Sequence, residues 1–326
     1  MVMASEANSI GASGLPARPG ASGSTAVRRR GRGTLRTASR LAPYWQAAPL
    51  ALVFLIFFVL PLLVTLIVSF WRYTGYSITP AFVFDNYRAA FDRCLGGGSD
   101  LCTAIRTYAS TLRFCLIVWV STLLIGFTVA YYLVFEIRSS TTRLVLALLT
   151  TIPFWTSNVI RMISWVPLLG RNGLVNQMLL SLGLIREPLD WLLYSPFSVS
   201  LALVHINTVF MIVPILNSMS RIDKALVEAA YDAGATGWQT LTNVIIPLSK
   251  TGIAIGSIFV ITVVMGDFIS VGLMGGQQIA SAGKVIATEI TALQFPIAAA
   301  NAVVLLAVVL MIVWTMLRFV DIRREL

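Results

Sequence analysis

Charge is scarce in this chain. Asp, Glu, Lys and Arg make up 12% of its 326 residues, against 57% hydrophobic residues and a mean hydropathy of +0.83. A soluble domain carries about a quarter of its residues as charges, so this composition describes a polytopic membrane protein. Histidine occurs once and cysteine three times, with no spacing that would hold zinc. A phosphate-binding G-x-x-x-x-G-K-[ST] loop is missing as well: Gly283-Lys284 is followed by Val285, and Gln278 stands where the first glycine belongs. There are no paired carboxylates, no H-E-x-x-H and no G-x-S-x-G. These absences exclude ATP hydrolysis by this chain alone and leave no residues for hydrolytic catalysis.

What is present is long hydrophobic runs. A bilayer-spanning helix needs about 20 mostly apolar residues, and six such stretches are expected, at 48–70, 114–135, 144–169, 197–219, 253–274 and 297–320. Pro61 in the first kinks a span without cancelling it, because neighbouring helices can satisfy the freed backbone. Lys and Arg flanking spans stay on the cytoplasmic side. Arg28, Arg29, Arg30, Arg32, Arg36 and Arg40 precede the first span, and Arg318, Arg323 and Arg324 surround the end of the last. Both termini therefore read as cytoplasmic, which requires an even number of spans and fits six.

Residues 1–44 are rich in Ala, Ser, Gly and Arg and cannot form a core, so they are read as a disordered basic cytoplasmic tail ahead of a membrane domain over 45–326. The RRRGRG run within it has three readings: nucleic-acid binding, a twin-arginine signal, or a topological anchor against anionic lipid. The span that follows is too long and apolar for a cleaved signal, which favours the anchor. The connection 71–112 is expected on the outer side. It holds Cys94 and Cys102 on either side of a glycine-rich turn, either as a disulfide or as two free thiols. Cys115 is expected to be a small core hydrophobe.

One polar, helix-coded segment interrupts the hydrophobic text: SRIDKALVEAAYDAGATGWQTLTNVIIPL, residues 220–248. Ser220 is expected to cap a helix whose buried stripe is Ile222, Ala225, Leu226, Ala229 and Ala233. Lys224, Glu228 and Asp232 fall at four-residue steps on another face. Gly234 supplies the freedom to end that helix. Thr236 and Gln239 have the spacing of a capping box for a second short helix, which carries Trp238 and Leu241 and runs until Pro247. The expected product is a helix–glycine–helix elbow within 220–250, on the cytoplasmic side if there are six spans.

Glu228-Ala229-Ala230, then Asp232, Gly234 and finally Pro247 resemble the EAA loop of ABC-importer permeases. The resemblance implies an all-α type I importer transmembrane domain in a bacterial inner membrane. Its elbow would be a coupling helix that seats in a cleft of a separate ATP-hydrolysing subunit. It also implies a second, similar permease forming a heterodimer, two cytoplasmic ATPase subunits that bind ATP and Mg, and a periplasmic substrate-binding protein. A narrower resemblance lies in PFWTSNVIRMISWVPLLGRNGLVN and GDFISVGLMGG, which are similar to segments of the spermidine/putrescine branch; FDNYRAAF is a broader cue. The text departs from that branch after Gly276, at QQIASAGKVIATEI, so iron, phosphonate, sulfate and amino-compound solutes stay open beside polyamines.

Ionisable and aromatic groups inside spans mark the candidate solute path. Asp267 lies 17 residues past Lys250, about 25 Å along span five at the rise of an α-helix. It is read either as a contact for a cationic solute or as a strut pairing with a helix end or with Arg161. Arg161 is expected to snorkel to the outer interface, and His205 to be a packing donor. Phe154, Trp155, Trp165 and Trp119 form an aromatic belt or wall a cation site. A channel or ion-coupled carrier, the alternative of another class, would show inverted repeats or charged relays, and neither is evident. The charge pattern predicts that single cysteines placed at Ser24 and Glu325 are shielded from an impermeant thiol reagent in intact cells while one at Ser99 reacts; labelling of the Glu325 site from outside would overturn the six-span topology.

Overall fold

The computed structural model describes residues 42–75, 77–91 and 103–319, so the basic tail up to Leu41, Cys94 and Cys102, and the last seven residues lie outside the described residues. The chain divides at Leu55 into an amino-terminal unit and a larger unit from Ile56 onward. The helix α1 (Ala42–Phe54) belongs to the first, and a π-helical turn at Leu55–Val59 leads into α2 (Leu60–Val68). A two-residue hairpin, β1 (Arg72–Tyr73) and β2 (Ile78–Thr79), pairs Arg72 with Thr79. Then come α3 (Asp85–Ala90), α4 (Thr103–Tyr131), α5 (Ser140–Thr151), α6 (Asn158–Leu169), α7 (Leu174–Ser181) and α8 (Pro196–Met219). The remainder is α9 (Lys224–Asp232), α10 (Gly237–Thr240), α11 (Ile246–Gly266), α12 (Ile269–Met274), α13 (Ala282–Thr291) and α14 (Phe295–Phe319).

Among the described residues five helical stretches are long and apolar enough to cross a membrane: Ala47–Val68, Ala104–Glu136, Asp190–Met219, Gly237–Gly266 and Phe295–Arg318. The expected third span, 144–169, is not one helix. Ser140–Trp155 and Asn158–Ser181 meet at a bend of 91°, and they make a sixth span only as a broken pair. Pro153 turns the chain into a single 3-10 turn, Ile152–Trp155, and Thr156 then goes extended at φ −105°, ψ 144°. A hydropathy window is blind to such a bend because the residues on both sides of it remain apolar. Span five likewise stops short of its expected end at Met274: α11 finishes at Gly266, and Asp267 adopts φ −72°, ψ 114° before α12 begins. Span two, by contrast, starts ten residues before its expected Phe114, which shortens the connection ahead of it.

The core forms where α8 packs between α4 and α11. Lipid tails are as apolar as leucine, so helices in a bilayer associate through close packing rather than the hydrophobic effect. Small residues provide it here. A methyl group at Gly252 would lie 2.5 Å from the Pro214 carbonyl oxygen, and one at Gly126 or Gly256 would meet the Met211 side chain at 2.9 Å and 2.8 Å. Met211, fully buried, therefore fills the space between two facing glycines. The start of α8 is fixed by a capping box: the Ser195 hydroxyl accepts from the Ser198 amide, and the Ser198 hydroxyl accepts from the Ser195 amide at 3.1 Å. The same Ser198 hydroxyl donates to the Met274 carbonyl at 2.9 Å, tying α8 to α12.

The two glycines of α11 differ in what opposes them, and so should their variants. Gly252→Ala meets backbone, and overpacking of this kind costs about 1–3 kcal/mol. Gly256→Ala meets the Met211 sulfur at 2.8 Å and that residue's backbone only at 3.3 Å, a milder approach to backbone than at Gly252. Thermal unfolding of the detergent-solubilised protein should show a clear loss for Gly252→Ala and a smaller one for Gly256→Ala; the reverse order would contradict this packing.

Candidate functional site

The polar elbow is built from three local devices. Asp223, not Ser220, caps α9: its side chain accepts from the Ala225 amide at 3.0 Å. Ser220 instead ends α8, its hydroxyl donating to the Leu216 carbonyl at 2.7 Å. Both residue types make good caps, and the chain uses the one that lies after the α8 hydrogen bonds are exhausted. At the other end of α9, Gly234 has φ +85°. Its amide donates to the Tyr231 carbonyl at 2.9 Å and the Ala235 amide donates to the Ala230 carbonyl at 3.0 Å. These two bonds make a Schellman motif, which satisfies carbonyls that a helix end leaves open. The expected capping box then starts α10, with the Gln239 amide donating to the Thr236 hydroxyl at 3.3 Å and the Thr236 amide to the Gln239 side chain at 2.8 Å.

Pro247 does not stop this second helix. A π-helical turn at Leu241–Ile245 follows α10 directly, and Pro247 sits in the first turn of α11, so the helical run continues from Gly237 to Gly266. The π-helical turn widens the run just before Pro247, with the Ile246 amide donating to the Leu241 carbonyl, and so accommodates a residue that lacks an amide. The expected buried stripe is also corrected. Ile222 packs on the core together with Val227, whereas Ala225, Leu226, Ala229 and Ala233 are exposed, Leu226 by 51%. Trp238 is 72% exposed, and Tyr231 also faces outward. Ala230 is partly buried, while Glu228 and Asp232 are exposed on α9. Beside the elbow a groove of about 650 Å³ runs between α8 and α11, lined by Pro214, Ser218, Arg221, Leu226, Leu248 and Gly252.

The path candidates separate into three places. Asp267 lies in the break between α11 and α12 rather than inside a span. Its two carboxylate oxygens accept from the Ser270 amide and the Ser270 hydroxyl, each at 2.8 Å, so it caps a helix end. It makes no ion pair with Arg161, whose guanidinium donates to the Asn158 side chain. His205 is an acceptor, not a donor, toward its neighbour: the Trp165 indole N–H donates to its Nδ1 at 3.1 Å, with the two rings edge to face at 5.7 Å. Trp155 stands at the 91° bend and is 88% exposed. Phe154 beside it packs edge to face on Phe210 at 5.2 Å, and Phe210 stacks on Phe259 at 6.4 Å. Trp119 is partly buried against the core and its indole nitrogen has no hydrogen-bond partner.

Residues 114–322 match the family model of the binding-protein-dependent transport system inner membrane component. The chain belongs to this family. It is 33% identical over 220 residues to the spermidine/putrescine transport system permease protein PotB of Escherichia coli K12, covering 66% of this chain and 79% of that protein. It is 32% identical over 249 residues to PotB of Haemophilus influenzae, covering 75% and 83%. Its fold is similar to a chain in the crystal structure of a bacterial alginate ABC transporter in complex with an alginate pentasaccharide-bound periplasmic protein. The TM-score is 0.64 at 21% identity, covering 84% of this chain and 92% of that one.

The protein is thus a transport permease of the inner membrane, a subunit that works with a substrate-binding protein and an ATPase rather than an enzyme in its own right. Reading the sequence missed one polar pair: Asn301 of α14 donates to both carboxylate oxygens of Glu289 on α13, at 2.8 Å and 3.0 Å. Glu289 stands outside the hydrophobic spans, where carboxylates are ordinary, so nothing in the text singled it out.

A methyl group at Gly234 would meet no atom within 4 Å, so only its left-handed backbone restricts substitution. That conformation costs an L-residue about 1–2 kcal/mol, and a β-branched residue more. Gly234→Val should insert normally into the membrane but lose transport, Gly234→Ala should transport at a reduced rate, and Gly234→Asn should retain most activity. Wild-type transport by Gly234→Val would remove the elbow's geometry from the coupling mechanism.

Proposed function

We propose that this permease imports polyamines of the spermidine and putrescine type, as one half of a heterodimeric pore energised by two ABC ATPase subunits. The observation that carries the solute assignment is the run of relatives named as spermidine/putrescine permeases, which match at 32–34% identity over most of their own lengths. The ATPase subunits bind the ATP and Mg; this chain presents the elbow to them. Glu228 and Asp232 are exposed carboxylates available to basic or amide groups of that partner, while Leu226, Tyr231 and Trp238 offer apolar surface for its cleft. An elbow closed by a Schellman motif and a capping box is rigid, and rigidity is what a mechanical link requires.

The solute passes along the face that carries the broken third span. Non-helical backbone at membrane depth is tolerated where it is buried in protein or lines a water-filled cavity, and the Thr156–Ser157 break lies beside the exposed Trp155. Indole and phenyl faces there attract ammonium groups. Asp267 contributes from the α11–α12 break: its carboxylate is half-exposed and already oriented by Ser270, which leaves lone pairs free for an ammonium donor.

Uptake of labelled spermidine decides this. Cells that lack their own polyamine systems and express the complete transporter should accumulate it saturably, putrescine should compete, and deletion of the ATPase subunit should abolish accumulation. Asp267→Asn keeps the shape and removes the charge, so it should raise the KM while the complex assembles normally. Absence of amine uptake by an assembled complex that turns over ATP would exclude the polyamine assignment, and an unchanged KM in Asp267→Asn would exclude that carboxylate from the path.

A further inference from the structure

At the end of the bundle opposite the elbow, α3, α4, α13 and α14 enclose a cavity of about 320 Å³, within the size range of small-molecule sites. Its walls include Ala90, Tyr108, Val285, Glu289, Gln294 and Asn301. None of its lining residues comes from α5, α6, α8 or α12, so it is distinct from the bend and the aromatic face described above. Glu289 projects a half-buried carboxylate here, held by the two hydrogen bonds from Asn301. The main chain at Asn301 is tied in turn to α4, the Tyr108 hydroxyl donating to its main-chain carbonyl at 3.4 Å.

Among the described residues the carboxylate has no ion-pair partner. The Arg72–Asp85 and Arg171–Asp190 ion pairs both lie on the surface, away from it. Burial accordingly pushes the Glu289 pKa above its ordinary value, and the Asn301 hydrogen bonds work in the other direction. As a mere tie between α13 and α14, the pair would need neither a charge nor a cavity; a glutamine would accept the same hydrogen bond.

The corner beside it is strained. Leu293 has φ +62° in a second Schellman motif, where its amide donates to the Ile290 carbonyl at 3.0 Å and the Gln294 amide to the Glu289 carbonyl at 2.9 Å. Glycine normally occupies this position, because a side chain there crowds its own backbone. Such strain persists where the surroundings over-determine the backbone, and it clusters at functional sites. Here it brings Gln294 to the wall of the cavity that contains Glu289.

We infer that this cavity is a binding site for a primary ammonium group arriving from the side of the membrane opposite the elbow. Glu289 receives it through a charge-assisted hydrogen bond, the Tyr108 ring offers a π-face, and the Gln294 side-chain carbonyl is a further acceptor. The choice of an amine rather than an alkali ion rests on the polyamine reading, and the site itself rests on the geometry.

The test is calorimetric titration of the assembled permease–ATPase complex in nanodiscs, without nucleotide or binding protein, with putrescine, methylammonium and potassium as separate arms. Putrescine and methylammonium should bind saturably. Glu289→Gln, which keeps an acceptor for Asn301, should weaken both by about tenfold or more, the scale of one lost charge-assisted contact. Ala90→Leu, which fills the cavity without changing any charge, should weaken them as well and does not depend on the Glu289 variant folding. Equal binding by wild type and both variants would eliminate the site, and potassium binding without amine binding would eliminate the ammonium assignment. Because transport is not read in this experiment, Glu289-dependent methylammonium binding in a complex that imports no polyamine would keep the site and discard the solute. Polyamine uptake without Glu289-dependent binding would do the reverse.

Discussion

The approach of α8 to α4 and α11 governs the rest of the molecule. A membrane offers no water to drive helices together, so their association depends on backbone coming close to backbone. Gly252 lets α11 rest on the Pro214 carbonyl, and Gly126 and Gly256 leave a slot that Met211 fills. Methionine suits that slot because its unbranched chain adapts to an irregular gap. Once the three helices are locked at this distance, the loops at both ends have fixed anchor points. The elbow hangs between the end of α8 and the start of α11, and α12 is tied back to the start of α8 through Ser198.

From that frame the non-helical segments gain their meaning. Every interruption of a helix leaves amides and carbonyls that need partners, and the chain answers several of them locally. Ser195 and Ser198 serve α8, Asp223 serves α9, Thr236 and Gln239 serve α10, and Asp267 serves α12. Such closure lets a membrane protein carry breaks at defined places without unravelling. It also separates rigid breaks from open ones. The elbow is closed on both sides of Gly234, whereas Thr156 runs extended after the 3-10 turn and leaves Trp155 exposed. A part that transmits force suits the first arrangement, and a part that faces a moving solute suits the second.

How much of this was legible in the sequence depended on whether the signal was local. Gly234, Thr236 and Gln239 announced their roles because caps and left-handed turns are decided within a few residues. The span at α8 was legible because it is one unbroken helix. The bend at Thr156 was not, since hydropathy averages over both of its arms. Pro247 misled because its effect depends on the π-helical turn before it, and a π turn leaves no clear mark in composition. The elbow's apolar stripe misled for another reason: amphipathic spacing shows which side chains share a face, not whether this chain or another one covers it.

The two carboxylates at the far end make the same point energetically. Asp267 looked exceptional because it was assigned to the interior of a span, yet the break at Gly266 gives it a ready local partner in Ser270. Glu289 looked ordinary because it was outside the spans, yet folding places it in a cavity where, among the described residues, its hydrogen bonds come from one amide group. Burial disfavours an ionised group wherever water is replaced by protein, whatever the hydropathy of the text around it. The cost therefore follows the packing of α13 on α14 and not the position of the residue along the chain. Charge is so scarce here that each half-buried carboxylate calls for an account of its counter-charge. For Asp267 the capping geometry gives much of that account. For Glu289 a single amide does not, and among the described residues no positive group answers the remaining demand.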